Sequence, residues 1–103
     1  MASMTDKKQI LTPEQITDAD LTGWDNKGDH ITASFDTGDF ATALQLVNLI
    51  GESAEEANHH PDITLTYGAV DVALSSHDVG GLTIRDVELA RVINDHAKGL
   101  NLS

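Results

Sequence analysis

The sequence predicts an α+β fold: a four-stranded antiparallel sheet with helices packed on one face, in the order α-β-β-α-β-β-α. Three observations lead there. Two pairs of short alternating apolar and polar runs are each broken by a glycine turn, at Gly28-Asp29 and at Gly68-Ala69. Two long stretches repeat apolar residues at helical spacing. Helix-start chemistry stands at Thr12, at Asp36-Thr37-Gly38-Asp39 and at Thr83.

Thr12-Pro13-Glu14-Gln15 opens the first helix. The Thr12 hydroxyl can accept from the Gln15 N–H, and Gln15 can reach back to Thr12. Pro13 suits the first helical position, where no N–H is needed. This short helix is expected to reach about Leu21, with Gly23 ending it. Trp24 to Lys27 and His30 to Phe35 then form a hairpin around Gly28-Asp29. Ile31, Ala33 and Phe35 alternate with Thr32 and Ser34, so one face of that strand is buried.

The second helix carries Phe40, Ala43, Leu44, Val47, Ile50, Ala54 and Ala57 as its expected core stripe, and Pro61 stops it. Leu46 and Leu49 fall beside that stripe and read as a short second apolar patch. Such a patch suits a contact surface between subunits, unless the first helix covers it. Ile63, Leu65 and Tyr67 alternate with Thr64 and Thr66; Val70, Val72 and Leu74 alternate with Asp71, Ala73 and Ser75. These runs make the second hairpin, ending near His77. Trp24 and Tyr67 read as half-buried sheet residues. After the Gly80-Gly81 turn, Thr83 caps a third helix with Asp86 three residues on. Its core face is Ile84, Val87, Ala90, Ile93, Ala97 and Leu100, and Gly99 weakens its end.

The chain of 103 residues fits one domain, over residues 10–103, behind a disordered tail at 1–9. Met1-Ala2-Ser3 reads as an addition ahead of a second start at Met4. The net charge of −11 comes from 17 acids and 6 bases, too few cations to grip nucleic acid directly or to bind an anionic membrane. The absence of cysteine removes disulfides, thiolate nucleophiles and thiolate metal ligands. No apolar run approaches the ~18 residues of a membrane span, and the N-terminus lacks an apolar signal core, so a cytoplasmic address is expected.

Ionisable groups crowd into the stretch "EEANHHPD", from Glu55 to Asp62. His59 and His60 fall at the end of the second helix, where a protonated imidazole is favoured. Glu55 is one turn earlier on the face of His59 and is expected to hold it. His77 ends the second hairpin and Asp86 begins the third helix, so three histidines and two acids gather at element ends. His30 and His96 have no partner at a suggestive spacing and read as surface residues. Adjacent histidines diverge and no i, i+4 histidine pair is present, so no metal is expected. Ser75 and Ser76 stand near His77, but without a nucleophile elbow they do not suggest a hydrolase.

The spacing of these groups carries a resemblance. Glu55 is followed after three residues by His59-His60-Pro61, after five more by Tyr67, after nine by His77 and after eight by Asp86. This pattern resembles the pterin-4a-carbinolamine dehydratase family. The run "GLTIRDVELA" from Gly81 to Ala90 is similar to that family's third-helix start, and Leu11-Thr12, Gly23-Trp24 and Asp39-Phe40 fall where it has them. The resemblance spans Leu11 to Ala97.

It implies the same element order and a definite reaction. Water is removed from the 4a-hydroxytetrahydropterin left by aromatic amino-acid hydroxylases, giving a quinonoid dihydropterin that a reductase recycles. No metal or organic cofactor is implied. Histidine suits both proton transfers at neutral pH. By the resemblance, His59 and His77 flank the 4a-hydroxyl as the acid–base pair, and His60 binds and orients substrate. Glu55 tunes the histidines, and Asp86 orients a histidine or the third helix. Pro61, Ser76 and Asp78 lie along the pterin edge. The chain departs from the pattern at Ile63 and Thr64, and at Ala33, Phe35 and Thr37, where many members carry aromatic or basic residues. Homodimers or homotetramers are implied. So is an alternative of another class, since some members dimerise a homeodomain transcription factor: an interaction module with a non-essential pocket. The full Glu-His-His-His-Asp set speaks for the enzyme.

Overall fold

A computed structural model describes residues 7–102. Of the tail expected at 1–9, residues 1–6, with Met1-Ala2-Ser3 and Met4, lie outside the described residues, and Lys7 to Gln9 are exposed. The elements are α1 (Pro13–Asp18), β1 (Trp24–Asn26), β2 (Ile31–Asp36), α2 (Phe40–Ala57), β3 (Asp62–Thr66), β4 (Ala69–Leu74) and α3 (Ile84–Gly99). They follow the expected order, and the four strands form one antiparallel sheet, β1-β2-β4-β3.

The register explains the burial. Across β2 and β4, Ile31 faces Leu74, Ala33 faces Val72 and Phe35 faces Val70. All six are buried, so the period-two alternation of both strands lands on one face. Ser34 and Asp71, paired on the opposite face, are exposed. Helices α2 and α3 share the core with the buried face through Ile50, Ala54, Val87, Ala90 and Ile93. Removing a side chain such as Ile50 or Ile93 from water stabilises the fold by about 1.5–3 kcal/mol. At the edge, Trp24 packs edge-on against Phe35 and donates from Nε1 to Asn94 Oδ1 at 2.9 Å, tying β1 to α3.

Local signals place the helix starts. Gln15 N–H donates to Thr12 Oγ1 at 3.2 Å, and Thr12 N–H donates to Gln15 Oε1 at 2.8 Å. Helix α1 stops at Asp18, short of Leu21, because the chain leaves the helix and Asp20 takes a left-handed conformation with φ 53°. The Asp39 carboxylate caps α2 by accepting from Thr42 N–H at 2.7 Å.

Two expectations are corrected. The core stripe of α2 is Ala43, Leu46, Ile50 and Ala54, whereas Phe40 and Leu44 are 49% and 44% exposed. Ala43, Ile50 and Ala54 belong to both candidate stripes, so Leu44 and Leu46 compete on either side of them. The position of the sheet and α3 decides for Leu46. Leu49 is half-buried. Tyr67 is not a half-buried sheet residue: β3 ends at Thr66, and Tyr67 stands in the following turn, 77% exposed. Trp24 is half-buried, as expected.

Leu46→Ala is expected to cost about 2–5 kcal/mol of stability, as for buried leucines elsewhere. Within a single subunit, Leu44→Ala should stay within about 0.5 kcal/mol. Urea unfolding of both variants checks this, and equal losses would contradict the observed helix orientation.

Candidate functional site

The site begins where α2 ends. Asn58 is left-handed at φ 50°, and the next N–H, of His59, reaches back to the Ala54 carbonyl at 3.1 Å. This closure turns the chain under the helix end. It sends His59 inward, 8% exposed, and leaves His60 exposed just before Pro61.

His59 meets a buried carboxylate. Its Nε2 donates to Asp86 Oδ1 at 2.6 Å, and Asp86 is fully buried. Asp86 Oδ2 accepts from Ser76 Oγ at 2.8 Å and from Thr83 N–H at 2.9 Å. The single Ser76 hydrogen is thus used. The Thr83 hydroxyl, 2.8 Å away, therefore donates to Ser76 Oγ, while its oxygen accepts from Arg85 N–H at 3.2 Å. Three groups converge on the two oxygens of the Asp86 side chain. No buried side-chain nitrogen or oxygen among the described residues lacks a partner. With Nε2 bonded to Asp86, Nδ1 is the His59 ring nitrogen left for another partner.

Glu55 does not hold His59. Its Oε2 lies 2.5 Å from His60 Nε2, with both side chains exposed. The i, i+4 rule fails because the left-handed Asn58 breaks the helical phase between Glu55 and the histidines.

Ser76 also anchors the loop into α3. Its carbonyl accepts from Val79 N–H at 3.1 Å and Gly80 N–H at 3.0 Å, and its own N–H donates to the Gly81 carbonyl at 2.9 Å. Arg85 donates to Asp78 Oδ1 at 2.8 Å across this loop. That hydrogen bond holds the Asp78 carboxyl below its ordinary range. Its stabilising effect is present at neutral pH and fades as pH falls through the lowered pKa.

His77 is exposed on the same loop and lines a cleft of about 180 Å³ with Asp29, His30, Asp62 and Ser75. His59 faces a groove of about 350 Å³ between α2 and α3, walled by Ser53, Arg85 and Glu88. The structure thus joins His59, Asp86 and Ser76, pairs His60 with Glu55, and sets His77 at a separate depression one residue beyond Ser76. A larger cavity of about 530 Å³, near Leu21, Phe35, Arg91 and Leu102, contains none of these groups and no histidine. Its volume does not outweigh the convergence of ionisable groups around Asp86.

His30 and His96, read as surface residues without a partner at a suggestive spacing, each have a side-chain partner. His30 Nδ1 lies 2.7 Å from Asp29 Oδ1, and His96 Nε2 lies 2.7 Å from Ser53 Oγ on the facing helix. The adjacency of Asp29 and His30 was a usable sequence signal, whereas Ser53 and His96 are too far apart along the chain to leave one. Among the described residues, no group of three or more His, Asp or Glu side chains is placed to hold a metal ion, and no helix is long and apolar enough to cross a membrane.

The family model "Pterin 4 alpha carbinolamine dehydratase" matches residues 9–96. The chain belongs to this family. A protein of Nocardia farcinica (strain IFM 10152), named "Putative pterin-4-alpha-carbinolamine dehydratase", is 42% identical over 92 residues, covering 87% of this chain and 97% of its own. The crystal structure of a "transcriptional coactivator/pterin dehydratase" from Brucella melitensis superposes with a TM-score of 0.82 at 34% identity, over 86% of this chain and 99% of that one. A "pterin dehydratase-like protein" described as a RuBisCO assembly factor in the alpha-carboxysome shares the fold. Its TM-score is 0.59 at 19% identity, over 72% of this chain and 86% of that one. Within the dehydratase family frame, the residues from Glu55 to Asp86 fall inside the matched region.

Asp86→Ala leaves His59 Nε2, the Ser76 hydroxyl and the Thr83 N–H without their acceptor, and is expected to cost about 3 kcal/mol or more. Asp86→Asn should lose less, since its carbonyl oxygen can still accept. Thermal unfolding checks this order, and an Asp86→Ala variant as stable as wild type would contradict the role given to Asp86.

Proposed function

We propose that the protein is a hydro-lyase that removes water from a 4a-hydroxytetrahydropterin by histidine acid–base catalysis, in a cytoplasmic route that recycles tetrahydropterin. The observation that carries this is the buried hydrogen-bonded chain His59–Asp86–Ser76. It fixes one imidazole with a single free nitrogen and ends one residue from a second imidazole, His77. The names borne by relatives at about 40% identity support the same activity.

The reaction needs one proton delivered and one removed. Breaking the C4a–O bond requires a proton on the departing hydroxyl, which leaves as water. A ring N–H then gives up its proton to form the quinonoid product. We assign these roles to His59 and His77, which line separate depressions but are linked through Asp86 and Ser76; the exchange leaves one imidazole richer by a proton and the other poorer, so a single return transfer resets the site. His60, tethered to Glu55, orients the ring, with Pro61 and Asp78 along its edge. Ser76, with its hydroxyl turned to Asp86, acts through that carboxylate. No metal or organic cofactor enters this scheme.

His59→Ala and His77→Ala are each expected to slow dehydration by about 10²-fold or more over the uncatalysed background. Stopped-flow measurement with that background subtracted checks it, and wild-type rates equal to buffer alone would end the enzyme assignment.

A homodimer or homotetramer is proposed as the working form, with the contact surface moved from Leu46 and Leu49 to the exposed ridge of Phe40 and Leu44 on α2. Thr37 and Gly38 N–H groups bond the Gly68 carbonyl, which brings the turn bearing exposed Tyr67 beside the start of α2. A small chain gains stability by covering such surface with a second copy. The same ridge favours a second reading, an interaction module, and turnover separates the two. Light scattering at micromolar concentration is expected to give a closed oligomer that Leu44→Asp dissociates. A wild-type monomer mass at high concentration defeats the claim.

A further inference from the structure

His30 has so far no part in the proposed reaction, yet it lines the same cleft as His77. Its place is built. Ser75 Oγ donates to the Asp29 carbonyl at 2.7 Å, pinning the β1–β2 turn against the end of β4, two residues before His77. Lys27 N–H donates to the His30 carbonyl at 2.8 Å and closes that turn. The Asp29 carboxylate can only accept, so the bond between Asp29 Oδ1 and His30 Nδ1 puts the hydrogen on Nδ1. Neutral His30 then keeps the Nε2 lone pair as its second hydrogen-bonding position.

The lining is rich in acceptors. Asp29, Asp62, His30 and His77 meet there, and neither lysine nor arginine lines the cleft. Asp62 directly follows Pro61, so the cleft adjoins the segment that carries His60. With two carboxylates and neither lysine nor arginine, such a surface is unfavourable to an anion. It suits a neutral, flat heterocycle with several N–H donors on one edge, which describes a reduced pterin. The Asp29 carboxyl is held below its ordinary range chiefly by the His30 hydrogen bond, with a smaller effect from the charge of His77, which agrees with both histidines lying close by.

We infer that His30, oriented by Asp29, is a substrate-contacting residue of the His77 cleft, where its Nε2 accepts a hydrogen bond from an N–H of the pterin ring. This rests on the dehydratase assignment and adds a specificity-determining residue to it. The test is equilibrium binding of 7,8-dihydrobiopterin, an unreactive reduced pterin, alongside steady-state dehydration. His30→Ala is expected to weaken binding about tenfold and to raise KM to match, the scale of one lost hydrogen bond, while kcat stays within about twofold. His30→Gln, whose carbonyl oxygen can also accept, should recover part of the affinity. Wild-type binding with His30→Ala unchanged overturns this inference alone. A wild type that binds no dihydropterin and does not dehydrate the carbinolamine brings down the dehydratase assignment and this inference with it.

Discussion

Asp86 serves at once as the capping acid of α3 and as the partner of a histidine 27 residues away in the chain. Placing a carboxylate in a protein interior costs several kcal/mol unless hydrogen bonds replace its water. Here three donors do so, from His59, Ser76 and Thr83. Each belongs to a different piece of chain: the end of α2, the loop after β4 and the start of α3. The acid therefore joins three segments that the sheet and core leave merely adjacent. The remaining ion pairs near the site, Asp29 with His30, Glu55 with His60 and Arg85 with Asp78, each have at least one partner open to solvent. They orient side chains, but screening by solvent leaves them little hold on the fold.

This arrangement gives His59 and His77 unequal freedom. His59 is locked, buried and restricted to one available nitrogen. His77 is exposed at the rim of its cleft and takes its position from the backbone of Ser76, whose hydroxyl is held by Asp86 and whose backbone closes onto Gly81. The site is thus referred to Asp86 twice, through a side chain on one side and through a loop on the other. For the proposed acid–base pair a common anchor matters, because misplacement by about an ångström can cost orders of magnitude in rate.

How much of this could be read from residues alone depends on the range of each signal. Thr12 and Thr83 announced their helices because a capping box is complete within four consecutive residues. The hairpins were legible because Gly28 and Gly68 take φ 100° and 81°, where glycine is favoured, between runs that alternate. The orientation of α2 was not, since Ala43, Ile50 and Ala54 suit a core stripe containing either Leu44 or Leu46. Only the neighbouring layer chooses between them. The pairing of Glu55 failed for a different reason: helical spacing was extended past Asn58, whose left-handed backbone redirects everything after it. Asp86 was legible as a cap, but its specific bond to His59 needed the third dimension. His30 was passed over because the useful partner, Asp29, looked like part of a turn.

The acidity of the chain fits this site better than it first suggests. With 17 acids and 6 bases, the protein is poorly equipped to hold a phosphate or another anion. Neither His77 nor its cleft neighbours asks for one. The groups that converge there are imidazoles and carboxylates, which accept hydrogen bonds and move protons. A reduced pterin ring is uncharged and presents N–H donors, so an acidic surface attracts its polar edge without having to neutralise it. The charge balance and the acceptor-rich cleft thus agree with the neutral pterin ring proposed as ligand.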